Sequence, residues 1–266
     1  MLFGFEGPGT GVGVPLGRGG HAPRLGQARD ERLRVSSPPV KAVLFDFHGT
    51  LAQVEEPTDW VLNAAAALGA DLTPSAARRL ADELILAGRA GGPLPSVVPP
   101  SVRTAWDRRD LTMDDHRTAY TALAAGVDSG IDGLPTALYD RLLTPDGWRA
   151  YADAVPVLRR LHGAGVRVAV VSNIGFDVRP VAEGLGLAPF VDAYALSYEV
   201  GHCKPAPEIF RAACADLGVD PRDTVMVGDT PADAGAVSAG CRCLILPVSP
   251  AGAEHGLAAV LPLLDA

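Results

Sequence analysis

The segment FDFHGTL, residues 45–51, closes a short apolar run and carries the first candidate chemistry. Asp46 and His48 stand two apart, so on extended backbone both side chains lean to the same side. A carboxylate at a strand end can attack phosphorus and form an acyl phosphate. Gly49 and Thr50 form a turn whose backbone N–H groups can face a phosphate. Read alone, an Asp ending a strand serves equally well as a helix cap. In VVSNI, residues 170–174, Ser172 offers a hydroxyl to a phosphoryl oxygen or caps the next helix, with Asn173 beside it. Lys204, in GHCKPAPEIF (201–210), is one of only two lysines. It can neutralise charge developing on a nucleophile and a phosphoryl group, or be a solvated surface residue. In VGDTPADAGAVSAG (227–240), Asp229 ends an apolar run and Asp233 follows four residues on. Two carboxylates beside Asp46 make an oxygen-rich site suited to Mg²⁺.

These residues need a scaffold that gathers strand ends. The run KAVLFDF from Lys41 is short, apolar and bounded by polar residues, as a buried parallel strand is. Similar runs follow at 166–172, 193–197, 224–229 and 242–247, with helix-like stretches at 154–163, 177–186 and 207–217 between them. Strands alternating with helices predict βαβ units and an open parallel sheet, with ligands beyond the strands' carboxyl ends. The stretch 52–148 reads instead as helical with no convincing strand. Helices are expected at 59–69 and 135–143, from the Thr73-Pro74 cap onward, and from Thr112 to a stop at Gly126. Thr112 and Asp115 resemble a capping box with Asp in place of Glu. The loop GGPLPSVVPP (91–100) separates two of these pieces.

Taken in order and spacing, the four segments resemble the haloacid dehalogenase-like hydrolase superfamily across residues 41–250. Its four motifs are matched at Asp46, at Ser172, at Lys204, and at Asp229 with Asp233. The resemblance implies an α/β fold, a Rossmann-like open parallel sheet with an inserted α-helical cap. The core would be 40–51 and 149–266, the cap 52–148 of that superfamily's first type, and 1–39 a flexible leader. It implies a Mg²⁺-dependent phosphatase of small phosphorylated metabolites. Asp46 would be the nucleophile, and Asp46, Asp229 and the His48 carbonyl would hold the metal, with Asp233 supporting it. Ser172, Asn173, Lys204, Gly49 and Thr50 would bind the phosphoryl group.

The sequence departs from the pattern at His48, where such phosphatases carry an acid–base Asp. Imidazole titrates near ~6.5 and can fill that role as a catalytic residue. The departure keeps open a degenerate member that binds phosphate or a partner without turnover, and less favourably a phosphomutase or dehalogenase. Dehalogenases of the superfamily lack the acids at 229 and 233, and the absence of lysine from 52–148 argues against a phosphonatase. For substrate choice the residues to consider are Arg103, Trp106, Arg108, Arg109, His116 and Arg117, which clamp a second anionic group or form a solvated face. Trp148 and Tyr151 read as hinge packing.

A formal net charge of −8 argues against nucleic acid or anionic membrane as a partner. No apolar run approaches the ~18 residues of a membrane span. The four cysteines show no zinc spacing and read as reduced thiols in a cytoplasmic protein, with Cys203 next to Lys204 a candidate for a lowered pKa.

Overall fold

The computed structural model describes residues 39–264. The leader expected at 1–39 lies, but for its last residue, outside the described residues. Five strands form one parallel sheet: β1 (Ala42–Phe45), β4 (Arg167–Ser172), β5 (Ala193–Leu196), β6 (Thr224–Gly228) and β7 (Arg242–Ile245), in the order β5-β4-β1-β6-β7. Each pairing is parallel, with Phe45 opposite Val170 on one side and Val227 on the other. The chain runs outward from β1 through β4 to β5, then returns across β1 to β6. The crevice at that reversal, between the ends of β1 and β6, is where this topology places ligands.

Alternation along β1 explains the two layers. Val43 and Phe45 point to one face and join the apolar residues of the helices Ala154–Gly163 and Arg179–Gly184. Ala42 and Leu44 point to the other and meet Ile209, Phe210, Ala213 and Leu217 of the helix Pro207–Leu217. A strand buried on both faces has no polar side to show, which is why the run is continuously apolar.

Between β1 and residue 148 the chain forms five α-helices: α1 (Pro57–Ala67), α2 (Pro74–Gly88), α3 (Arg103–Arg108), α4 (Met113–Ala125) and α5 (Leu134–Leu142). Thr73 caps α2 by accepting from the Ala76 N–H, ahead of a proline. Thr112 caps α4 by accepting from the Asp115 N–H at 3.1 Å, and its hydroxyl donates to the Asp115 carboxylate at 2.8 Å. Asp115 is too short to reach back to the Thr112 backbone, so only half of a capping box forms. Trp60, Val61, Leu84, Leu134 and Leu138 give α1, α2 and α5 a core of their own.

The expectation of no strand in 52–148 is corrected. Residues Ala52–Val54 (β2) and Trp148–Ala150 (β3) pair antiparallel at the root of the helical insert. Three-residue strands are too short to show a period. Helix α3 is likewise unannounced by its sequence.

The root is held by a buried carboxylate. Glu55, 2% exposed, takes a fork from Arg141, with Nη2–Oε2 at 2.8 Å, and accepts from Asn63 Nδ2 at 2.9 Å. Arg89 donates to the Glu55 carbonyl and stacks 4.4 Å over Trp60. One residue therefore ties β2 to α1, α5 and the end of α2. Removing one partner of a buried ion pair strands the other. Glu55→Gln should cost about 3 kcal/mol, lowering Tm by roughly 6–12 °C; a calorimetric Tm within about 2 °C of the parent would show that the fork contributes nothing.

Candidate active site

Asp46 follows directly on β1, and its carboxylate is fixed by its own turn. Oδ1 accepts from the Phe47 N–H at 2.7 Å and meets Lys204 Nζ at 2.8 Å. Lys204 arrives from the loop before the helix Pro207–Leu217 and is 5% exposed. Its ammonium also contacts Asp233 Oδ1 at 2.6 Å. Burial opposes the charge on Lys204, but Asp46 and Asp233 outweigh it and raise its pKa above the ordinary lysine value. Burial likewise raises Asp46 well above the ordinary carboxylate range, against the pull of Lys204.

Asn173, expected at the phosphoryl group, turns both ends of its amide to the Lys204 backbone. Oδ1 accepts from the Lys204 N–H at 2.6 Å and Nδ2 donates to its carbonyl at 3.0 Å. It positions the lysine. Ser172 is buried at the carboxyl end of β4 and lines a chamber over the strand ends.

Asp233 is saturated: its second oxygen accepts from the Thr230 N–H at 2.9 Å and the Thr230 hydroxyl at 2.7 Å. Lys204 and these bonds hold it below the ordinary carboxylate pKa against the opposing effect of burial. Asp229 is raised by burial, and its Oδ1 accepts from Thr50 Oγ1 at 3.1 Å. Oxygens of Asp46, Asp229 and Asp233 all lie within 4.8 Å of one another.

Two expectations about the Gly49–Thr50 turn are revised. The Gly49 N–H donates to the Ala52 carbonyl at 2.9 Å, so it does not face a phosphate. The Thr50 hydroxyl points at Asp229. Gly49 serves space and conformation instead: its φ is +88°, and a Cβ there would meet Asp229 Oδ2 at 2.4 Å.

The His48 ring stands edge-on to Trp148 with ring centroids 5.6 Å apart. Its Nε2 is sealed from solvent and has no hydrogen-bond partner. The turn after α2 lies against it, and a Cβ on Gly91 would come within 2.4 Å of that nitrogen. Burial, then the Arg89 charge, lowers the His48 pKa to about 4, while the Gln53 amide favours the protonated form. Gln53 also engages the Tyr151 hydroxyl.

Of the residues considered for substrate choice, only His116 reaches the chamber over the strand ends. That chamber measures about 90 Å³ and is walled by His48, Asp110, Tyr120, Trp148, Ser172 and Phe176 among others. Arg108 pairs with Asp115 and Arg117 with Asp140 on the outer surface, Arg103 is exposed, and Arg109 stacks 4.1 Å over Trp106. Tyr151 stacks on His255 with centroids 4.4 Å apart, and Trp148 Nε1 donates to the Leu142 carbonyl, both consistent with packing. Cys203 is corrected: burial and Asp110 push its thiol up, not down.

Sequence reading missed Ser197, Asp110 and Thr230. Ser197 accepts from the Ile174 N–H at 2.8 Å and donates to the Asp110 carbonyl, linking core loop to insert. A serine closing an apolar run gives no local sign of a partner 87 residues away.

With this geometry in view, comparison with known proteins is decisive. A family model for haloacid dehalogenase-like hydrolase matches residues 40–240. The chain belongs to that family. Among haloacid dehalogenase-like relatives, the domain-containing protein 3 of Mus musculus is 34% identical over 42% of this chain and 45% of its own length. The enolase-phosphatase E1 of Frankia alni is 29% identical over 83% of this chain and 91% of its own. The chain spans about half the length of the first curated relatives it matches. Among solved structures, a dehalogenase superposes with TM-score 0.59 at 22% identity, covering 85% of this chain and 98% of that one. A phosphatase of the same family from Thermococcus onnurineus gives 0.53 at 24%, with coverage of 85% and 98%. These two likenesses concern the fold. No helix among the described residues is long and apolar enough to cross a membrane.

His116 generates a pH prediction. Its Nδ1 lies 2.9 Å from the Tyr139 hydroxyl, among the rings of Tyr120, Tyr139 and Phe176. Burial, then Arg109, lowers its pKa from 6.5 to about 3. Below 6.5 the unfolded chain takes a proton that the folded one refuses, so stability falls with pH across that window. Between about pH 7 and about pH 5 this group should cost ~2 kcal/mol. In urea unfolding, His116→Asn should lose that much less stability over the interval; an unchanged pH slope would refute the assignment.

Proposed function

We propose that this hydrolase is a Mg²⁺-dependent phosphatase of small phosphorylated metabolites, working through an aspartyl-phosphate on Asp46. The observation that carries the reading is the placement of Asp46 and Asp229 oxygens together while Lys204 and Thr230 saturate Asp233. Hard oxygen donors with unspent lone pairs suit Mg²⁺, which keeps most of its own waters and accepts one or two carboxylates. The donor set therefore fits the ion. Asp46, Asp229 and the His48 carbonyl would hold it, with Asp233 in support, and when bound it supplies neutralisation of phosphoryl charge. Relatives named as phosphatases include a phosphoserine phosphatase of Thermus thermophilus and a phosphoglycolate phosphatase of Rhodospirillum rubrum.

Asp46 Oδ1 is occupied by Lys204 and the Phe47 N–H, so Oδ2 is the attacking atom. It bonds to phosphorus as the bond to the leaving alcohol breaks. Lys204 and Ser172 hold the phosphoryl oxygens. Once the turn at Gly91 has lifted and the burial of the imidazole is relieved, His48 can take up a proton; it gives that proton to the departing oxygen, then takes one from the water that hydrolyses the acyl phosphate, restoring Asp46. Substrate approach requires the Arg89–Gly92 turn to lift from the imidazole. Residues 52–148 act as the cap over a core of 40–51 and 149–266. The same reading places the protein in the cytoplasm, where its four free cysteines stay reduced. A second reading, phosphate binding without turnover, draws on the seating of Gly91 over His48 Nε2.

Hydrolysis of p-nitrophenyl phosphate and of an alkyl phosphate separates the two. Turnover should vanish in EDTA, return with Mg²⁺, and be lost in Asp46→Asn with the fold retained. His48→Ala should reduce kcat roughly 10²–10⁴-fold for the alkyl ester and less for the aryl ester, whose phenolate leaves with little protonation. Full activity in EDTA or in Asp46→Asn would end the aspartyl-phosphate reading. An inactive parent that gains strongly in His48→Asp would favour binding without turnover.

A further inference from the structure

The chamber over the strand ends has an uneven chemistry that bears on the leaving group. Asp110 is the only Asp, Glu, Lys or Arg among its walls. Four of its walls are rings, Tyr120, Phe176, Trp148 and His116, and Ala90, Gly91 and Leu142 add apolar surface from the insert. Arg109, the cation next in sequence to Asp110, lies over Trp106, donates from Nη1 to the Trp106 carbonyl at 2.8 Å and also engages the Tyr120 hydroxyl. Its Nη2 stays 3.4 Å from Asp110 Oδ2, close enough to orient the carboxylate without removing its charge. The Asp110 carbonyl is pinned by Ser197 Oγ and approached by Cys203 Sγ at 3.9 Å. The backbone that carries the carboxylate is thus tied to the core. A group bound in advance at fixed position loses little entropy on meeting a ligand.

Size adds a second limit. The chamber, about 90 Å³, has room for only a handful of water molecules. It admits a short chain of a few heavy atoms beyond the phosphoryl oxygen.

Resting on the phosphatase reading, we propose that the substrate is a small phosphomonoester whose leaving alcohol carries an ammonium or hydroxyl donor received by Asp110, and carries no second anion. An ammonium there gains a charge-assisted bond to a half-buried carboxylate. A carboxylate or second phosphate there meets Asp110 with no insert cation on the chamber wall to offset it. This differs from the two-anion clamp that the arginines of 103–117 would build, since those side chains point outward or stack on Trp106.

The test compares phosphoethanolamine with phosphoglycolate, matched in length and opposite in terminal charge, in the presence of Mg²⁺. The wild-type protein should show kcat/KM for phosphoethanolamine on the order of 10²-fold above phosphoglycolate. Asp110→Asn, which keeps shape and removes charge, should collapse that ratio toward one, with circular dichroism confirming the fold. A parent that prefers phosphoglycolate, or an Asp110→Asn protein with the parent's ratio, overturns the inference. Should the variant fail to fold, the parent's preference alone decides. If neither ester nor p-nitrophenyl phosphate is turned over, the phosphatase reading fails. Calorimetric dissociation constants of the two ligands for the parent then decide the inference: tighter phosphoethanolamine supports it, and equal or reversed affinities overturn it.

Discussion

The site depends on one buried ammonium. Asp46, Asp229 and Asp233 arrive from two strand ends, and three carboxylates so close repel strongly in a medium that screens poorly. Lys204 sits between Asp46 and Asp233 and makes their approach possible. Taking the lysine out of water is itself costly, and only short, well-directed contacts offset it. The lysine has little freedom to find them alone, so its backbone is clamped at both N–H and carbonyl by Asn173. The residue beside Ser172 on β4 thereby sets the position of a charge that serves β1 and β6.

This arrangement divides labour among the carboxylates. Asp233 spends both oxygens on Lys204 and Thr230 and stays ionised, acting as the fixed counter-charge. Asp46 spends one oxygen and keeps the other. Asp229 spends one on Thr50. The free valences thus lie on the two groups flanking the crevice between β1 and β6. Gly49 completes this geometry, because any larger residue would push Asp229 out of the cluster.

Much of this was legible because a parallel sheet converts sequence into geometry. Asp46, Ser172 and Asp229 each end an apolar run, and parallel strands deliver their ends to one edge. Lys204 was legible from its rarity and its flanking prolines. What stayed hidden was the internal economy of the site. Nothing in the sequence says whether the Asn173 amide faces a ligand or a neighbouring backbone, or whether the Gly49 N–H is spent inside its own turn. The ribbon of β2 and β3 was hidden by its length, three residues a strand. The arginines of 103–117 were misleading for a different reason: a cationic helix face looks the same in sequence whether it turns toward a cavity or toward solvent. Asp110, which lines the chamber, drew no notice in the sequence beside the arginines around it.

The insert is held unequally at its two ends, and this bears on how the chamber exchanges its contents. At the root, Glu55 is buried and forked by Arg141, with Asn63 and Arg89 also bonded to that residue, so separation there would strand several charged groups. Over the site, the links among the described residues include the Ser197–Asp110 hydrogen bond, the approach of Cys203 Sγ to the same carbonyl, the contacts of His116 with Gly175 and Phe176, and the turn at Gly91 resting on His48. A hydrogen bond regained by water on opening costs about 1 kcal/mol net, whereas exposing one partner of a buried ion pair costs several times that. Local opening follows the lowest free energy, so the contacts over His48 and Asp110 part before the root does. The contacts that hold the Asp110 backbone against the core are thus among the first to part when the insert opens locally, while the fork at Glu55 keeps its root in place.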